Sequence, residues 1–206
     1  DPVGASAVNL IPSKVPSDIY QTVIDKVIRK VQADTHTEHA EIAAKWLQFG
    51  MTRKTAKRCT MTRVYGSTLF SARSFVQEYI TDTTERRKQE DRSYISPLKG
   101  IEFDAAVYLA RHVWEAINET VIAAKDGMDY LQLCARQLAQ QNLPIIWHTL
   151  DGFPVMQNYP NTRARRVMSK LGDKIIYLSI REAVRNKLDS RKQANGISPN
   201  WVHAND

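Results

Sequence analysis

Cysteine is scarce in this chain, and its scarcity excludes several classes at once. The two cysteines, Cys59 and Cys134, stand far apart among 206 residues and supply neither a disulfide framework nor a thiolate metal cluster. Both fall in helical patterns and read as packed thiols, which suits a reducing, cytoplasmic setting. Histidine is sparse too. His36 and His39 lack acidic or thiol companions at ligand spacing, and His112 and His148 stand alone, so no metal ligands are expected. No apolar run is long enough to cross a bilayer and the N-terminal residues lack a signal-peptide core, which excludes a membrane partner. Internal repeats and low-complexity tracts are also missing.

What is present is a basic chain able to form a core. A hydrophobic fraction of 43% suffices for one or two domains. Lysine and arginine number 29 against 22 acidic residues, and the net charge of +7 favours a polyanionic partner without identifying it.

The patterning predicts a mainly helical fold with a small β-ribbon section. Residues 1–16 read as a loop punctuated by prolines, after which Ser17 can cap a helix with the apolar row Ile19, Val23, Val27 and Val31. A second helix ends at Gly50, and Thr52 is a plausible cap for a third, basic helix over 53–66. Another follows from Ser67 to about Glu78. Residues 81–98 are strongly charged without an apolar period and read as a solvated or mobile surface excursion. Two helices joined near Gly127 are expected between Ile101 and Gln141, with Trp114 and Leu131 on buried faces. The period then changes, predicting a hairpin around Leu150-Asp151-Gly152 and a ribbon from about Arg163 to Ile180 with its tip at Gly172-Asp173. A helix from Ile180 to about Lys192 and a Gly/Pro-marked turn complete the chain. Three portions follow: 1–142, 143–180 and 181–206.

The basic helix holds the most informative pattern. Arg53, Lys57, Met61 and Tyr65 lie four residues apart, so they drift by about 40° per step and stay on one face. Two cations and a tyrosine on one face, closed by Gly66, suit a polyphosphate at one end and a sugar or base at the other. An isolated R-x-x-x-K is more commonly an exposed basic face, and Tyr65 alone would read as a core tyrosine beside a C-cap glycine.

Arg53-x-x-x-Lys57-x-x-x-Met61-Thr62-x-x-Tyr65-Gly66-Ser67 resembles the fingers helix of the single-subunit RNA polymerases of bacteriophages and mitochondria. More of the chain agrees, in register from end to end. Ala7-Val8-Asn9-Leu10-Ile11-Pro12-Ser13 with Asp18-Ile19-Tyr20 resembles the segment after that family's first catalytic aspartate. Asp151-Gly152-Phe153-Pro154-Val155 resembles the hairpin before its promoter-reading loop. Gly196-Ile197-Ser198-Pro199-Asn200-Trp201-Val202-His203 resembles the segment before its second catalytic aspartate.

The resemblance implies the fingers subdomain of a right-hand-shaped polymerase, with the specificity ribbon within 143–180 and a return toward the palm over 181–206. It implies that Arg53 and Lys57 hold the triphosphate of an NTP, Lys57 also aiding the leaving pyrophosphate. Tyr65, with Gly66 beside it, would choose ribose over deoxyribose, and His203 would contact the ribose or a nearby template pair. The basic ribbon residues Arg163, Arg165, Arg166, Lys170 and Lys174 would meet promoter DNA, either reading base edges or contacting phosphate alone. Arg63 departs from the family's apolar preference, and either meets a distinct neighbour or points to solvent.

Implied partners are NTP, promoter and template DNA, the RNA product, and the palm and thumb of the same polypeptide. The implied setting is the cytoplasm of a bacterial host of a phage or prophage. The intact enzyme would use Mg2+ held by two aspartates, but no Asp-Gly-Ser-Cys-like or His-Asp-Ser-like motif occurs here, so none is expected to bind this fragment. The chain lacks an initial Met and reads as an excised piece, inactive alone. The competing class is a free-standing basic helical nucleic-acid-binding module, which would explain the charge and the ribbon but not the order of Arg53, Lys57 and Tyr65-Gly66-Ser67.

Overall fold

The i+4 row of Ile19, Val23, Val27 and Val31 demands an apolar partner surface, and the first half of the chain is organised around it. A computed structural model describes residues 2–205; Asp1 and Asp206 lie outside it. The chain is mainly helical with two two-stranded antiparallel sheets, as the change of period implies. It divides into two units, residues 1–126 and 127–206.

In the first unit, helix α2 (Ile19–Asp34) buries Val23, Ile24, Val27 and Val31. The facing surface of α6 (Glu102–Asn118) is rich in alanine (Ala105, Ala106, Ala110, Ala116), which lets neighbouring helices approach closely. Helix α3 (Ala40–Phe49) adds Trp46, whose buried indole N–H donates to the carbonyl of Ala105 at 3.0 Å, and Phe49, edge-on to it at 5.5 Å. Helices α4 (Arg53–Arg63) and α5 (Leu69–Glu90) complete the core through Ala56, Cys59, Ala72, Val76 and Ile80.

Several boundaries differ from the sequence expectation. The first segment forms a short helix, α1 (Pro2–Ala7), with proline at the position where its missing N–H costs nothing. Asn9 then clamps Ser17 through both its amide atoms, at 2.6 and 2.9 Å. Asp18, not Ser17, caps α2, accepting from the N–H groups of Tyr20 and Gln21. The break after α6 falls at Glu119 to Val121 rather than near Gly127, which lies inside α7 (Ile122–Gln140). Lys26 holds that break by donating to the Glu119 carbonyl at 3.0 Å and to the buried Thr120 hydroxyl at 2.9 Å. Trp114 packs, half-buried, against the core, while Leu131 is half-buried on α7.

The charged segment 81–98 is no mobile excursion. Helix α5 continues through it to Glu90, anchored by Ile80, the buried Thr83, and Arg87, whose guanidinium lies over the Phe49 ring at 5.0 Å and donates to the Tyr94 hydroxyl at 2.9 Å. Leu98 is wholly buried.

In the second unit, β1 (Ile145–His148) and β2 (Pro154–Gln157) form the expected hairpin, with Gly152 at φ 86°. Strands β3 (Pro160–Leu171) and β4 (Lys174–Leu188) form a longer ribbon than expected, turning at Gly172-Asp173 with only Gly172 at positive φ. The helix expected from Ile180 is thus strand to Leu188. Helix α8 (Ser190–Asn205) follows and takes in Gly196 and Pro199, which the sequence marks as a turn.

Polar side chains seat α8. Gln157 donates to the Gln193 carbonyl at 2.7 Å, and Gln193 donates back to the Gln157 carbonyl at 3.0 Å. Asn200 donates to both Gln157 Oε1 and the Tyr159 hydroxyl. Gly196 lies against the Tyr159 ring, where a Cβ would come within 2.7 Å of Cε2.

If residues 81–98 are anchored as described, Leu98→Ala should cost about 2–5 kcal/mol, as in a core. The exposed Glu85→Ala should change stability by no more than about 0.5 kcal/mol. Urea denaturation of the two variants checks this, and equal small losses would restore the solvated reading.

Candidate functional site

Helix α4 buries Thr55, Ala56, Cys59, Thr60 and Arg63, an inner stripe that leaves the row Arg53, Lys57, Met61 and Tyr65 facing outward. Met61 is 48% exposed and Tyr65 40%. The helix opens with the Thr52 N–H donating to the Thr55 hydroxyl at 3.0 Å. Regular helix ends at Arg63, short of the expected limit at 66, and a Schellman turn takes over. There the Ser67 N–H reaches the Thr62 carbonyl and the Gly66 N–H the Arg63 carbonyl, with Gly66 at φ 80°. Tyr65 is thus fixed one residue ahead of a left-handed glycine.

Arg63 meets a specific neighbour. It is 6% exposed, its guanidinium stacks over Trp114 at 4.5 Å, and its Nε donates to Asn118 at 3.3 Å. Cys59 is buried and its thiol is pushed up to about 12 by desolvation, so it remains protonated and serves packing.

Arg53 and Lys57 differ in their surroundings. The Arg53 Nε donates to Asp18 Oδ2 at 2.5 Å, and its guanidinium lies over the Tyr20 ring at 4.7 Å. The hydrogen bond from Arg53, followed by those from the N–H groups of Gln21 and Tyr20, holds the Asp18 carboxyl below the usual range. Lys57 is exposed and has no hydrogen-bond or ion-pair partner among the described residues. Beside this row lies a cleft of about 600 Å³, lined by Tyr20, Met61 and Tyr65 together with Val8, Leu10 and Ile19. A cationic end therefore runs into an apolar, aromatic one. Among the described residues no group of three or more His, Cys, Asp or Glu could hold a metal ion. The described residues therefore offer no donor set for the Mg2+ that the resemblance implies.

The second unit holds the remaining candidates. His203 lies exposed on α8. Cross-strand pairing sorts the ribbon's cations onto two faces rather than one. Arg163 and Arg165 share a face with Glu182, which pairs with them at 3.8 and 3.2 Å, and Lys174 follows toward the tip. Arg166 and Lys170 take the other face, where Arg166 stacks over Tyr177 at 4.4 Å and Arg181 stands opposite Ala164.

The whole chain, residues 1–206, matches the family model described as DNA-dependent RNA polymerase. The chain belongs to that family. Relatives of this polymerase chain include T7 RNA polymerase of Escherichia phage T7, 33% identical over 246 positions, and the DNA-directed RNA polymerase of Enterobacteria phage K11, 32% identical. DNA-directed RNA polymerase 2A of Nicotiana tabacum is 31% identical. Each match covers all of this chain, which itself spans about a quarter of the two phage relatives' length (27% and 26%) and 59% of the plant one.

Within this polymerase segment, sequence reasoning missed Asp18 and Tyr20 as partners of Arg53, and Glu182 and Arg181 on the ribbon. Asp18 and Tyr20 stood inside a recognised stretch, but nothing local ties them to Arg53, which lies 35 positions beyond Asp18. Arg181 and Glu182 were hidden by the expected helix.

The depressed carboxyl has a defined pH consequence. A lowered folded-state pKa contributes stability above the unfolded value of about 3.9, and that contribution is lost as pH falls through the folded value. Asp18 should therefore titrate by NMR below the usual aspartate range, and Arg53→Ala should return it upward. An unchanged Asp18 titration in that variant would break the assignment of the pair.

Proposed function

We propose that this chain is the fingers and specificity-ribbon portion of a phage-type DNA-directed RNA polymerase. In that reading it binds the incoming NTP and contacts promoter and template DNA. The observation that carries it is the outward row of Arg53, Lys57, Met61 and Tyr65, closed by the Gly66 turn, beside an aromatic cleft. It stands in a chain matched end to end by the polymerase family.

The row suits a nucleoside triphosphate laid along the helix. Arg53 to Met61 spans about 12 Å at the helical rise, room for phosphates at one end and a sugar at the other. In the intact enzyme the RNA 3′-hydroxyl gives its proton to water, its oxygen bonds the α-phosphorus, the bond to the bridging oxygen breaks, and pyrophosphate leaves. Lys57, with its ammonium unengaged, donates to the leaving phosphate, and Arg53 grips a neighbouring phosphate through its planar fork. Tyr65 lies with its ring toward the base and its hydroxyl toward the ribose, and Gly66 keeps it there. His203 is an auxiliary contact to the ribose or template.

The Mg2+ that the resemblance implies would be held by aspartates outside this segment, where it would supply activation of the attacking hydroxyl and charge stabilisation at the leaving oxygen. The segment alone is therefore inactive. Promoter contacts fall to the ribbon. A carboxylate between Arg163 and Arg165 disfavours indiscriminate phosphate binding on that face, which supports base reading there. The opposite face, with Arg166, Lys170 and Arg181 and no acid opposite them, suits phosphate.

Lys57→Ala in the intact polymerase should slow nucleotide incorporation by roughly 10²–10⁴-fold, the range of a lost proton donor, with promoter affinity unchanged. Rapid-quench incorporation and a promoter-binding assay measure the two quantities. Equal losses in both would reject the assignment. Glu182→Gln should steepen the salt dependence of DNA binding and narrow the gap between promoter and random sequence, because removing a carboxylate frees two arginines for phosphate. A salt titration on both DNAs decides, and no change in slope would remove Glu182 from the account.

A further inference from the structure

An arginine that grips phosphate works best when its fork is already aimed. Arg53 has three methylenes and many rotamers, and ordering it at the moment of binding would weaken the grip. In this structure it is ordered beforehand. Its Nε is engaged by Asp18 Oδ2 at 2.5 Å, while Asp18 Oδ1 accepts from the N–H groups of Tyr20 at 2.9 Å and Gln21 at 3.2 Å. The carboxylate cannot swing, because its second oxygen is tied into the first turn of α2. The Tyr20 ring supports the flat side of the guanidinium at 4.7 Å. The ion pair uses Nε alone, so the two terminal nitrogens keep their paired N–H groups for a tetrahedral anion.

We propose that Asp18 is a positioning residue, which presents the terminal nitrogens of Arg53 to the polyphosphate of an incoming nucleotide. The inference rests on the nucleotide-binding reading above and adds to it a residue from a different helix. Asp18 itself touches no substrate. Its negative charge lies on the Nε side of the guanidinium, so it fixes the cation without occupying the fork.

The test uses the intact polymerase and Asp18→Asn. Asparagine caps helices as well as aspartate does, so the fold of α2 is kept while the ion pair is lost. The KM for NTP should rise by roughly two- to tenfold, the equivalent of ordering one flexible side chain, with kcat and promoter affinity unmoved. In the Arg53→Ala background the same change should add nothing, because the group it positions is gone. Asp18→Ala, which removes cap and ion pair together, should match Asp18→Asn in KM and lose thermal stability besides. If Arg53→Ala raises KM while Asp18→Asn leaves it alone, or adds to it in full, the positioning role is overturned and the nucleotide site stands. If Arg53→Ala itself leaves KM unchanged, both fall.

Discussion

The outer face of α4 is aimed by what its inner face can bury. That inner face is unusually poor in hydrocarbon: two threonines, an alanine, a cysteine and an arginine. Small side chains let α4 settle close to α2 and α5, and the arginine at its end is accommodated only because Trp114 offers a flat aromatic surface and Asn118 an acceptor. Rotate the helix by one residue and polar atoms lose their partners while Lys57 is driven toward the core. The placement of two cations, a methionine and a tyrosine in a line follows from that steric and hydrogen-bonding fit. A helix this polar has little propensity to choose its own orientation.

Those parts of the fold and site that rest on local periodicity were legible in the sequence. The row of α2, the glycine closing α3, the threonine opening α4 and the hairpin at Gly152 all depend on residues within a few positions of each other. Legibility failed where distant partners decide. In α5 the anchors Ile80, Thr83 and Arg87 do keep a helical spacing, but two of them are polar, and Arg87 becomes a core contact only against Phe49 and Tyr94. Along β4, Ile180, Ala183, Val184 and Leu188 carry a helical period that cross-strand pairing with β3 overrides. Gly196 and Pro199 look like a turn until Tyr159 is seen to require the glycine's bare surface.

The site was half legible for the same reason. Arg53, Lys57, Tyr65 and Gly66 are one helix and its exit, so their spacing is itself a geometry. Their neighbours are not: Asp18 and Tyr20 arrive from another helix, and Glu182 from the strand across the ribbon. The ribbon's five sequence-flagged cations looked like one basic surface in linear order, whereas the pleat divides them between two faces of unlike chemistry.

The side chains that lock α8 onto β2 at the seat of that ribbon are amides. Tyr159 precedes β3, its carbonyl accepts from the Asp189 N–H just past β4, and beneath them Gln157, Gln193 and Asn200 exchange amide hydrogen bonds. Amides neither titrate near neutrality nor attract counterions. Ionic strength and acidity therefore act on the arginine-studded arm and leave those amide bonds alone. The two can be tuned separately: the arm can change its charges while the amide lock beneath it stays as it is.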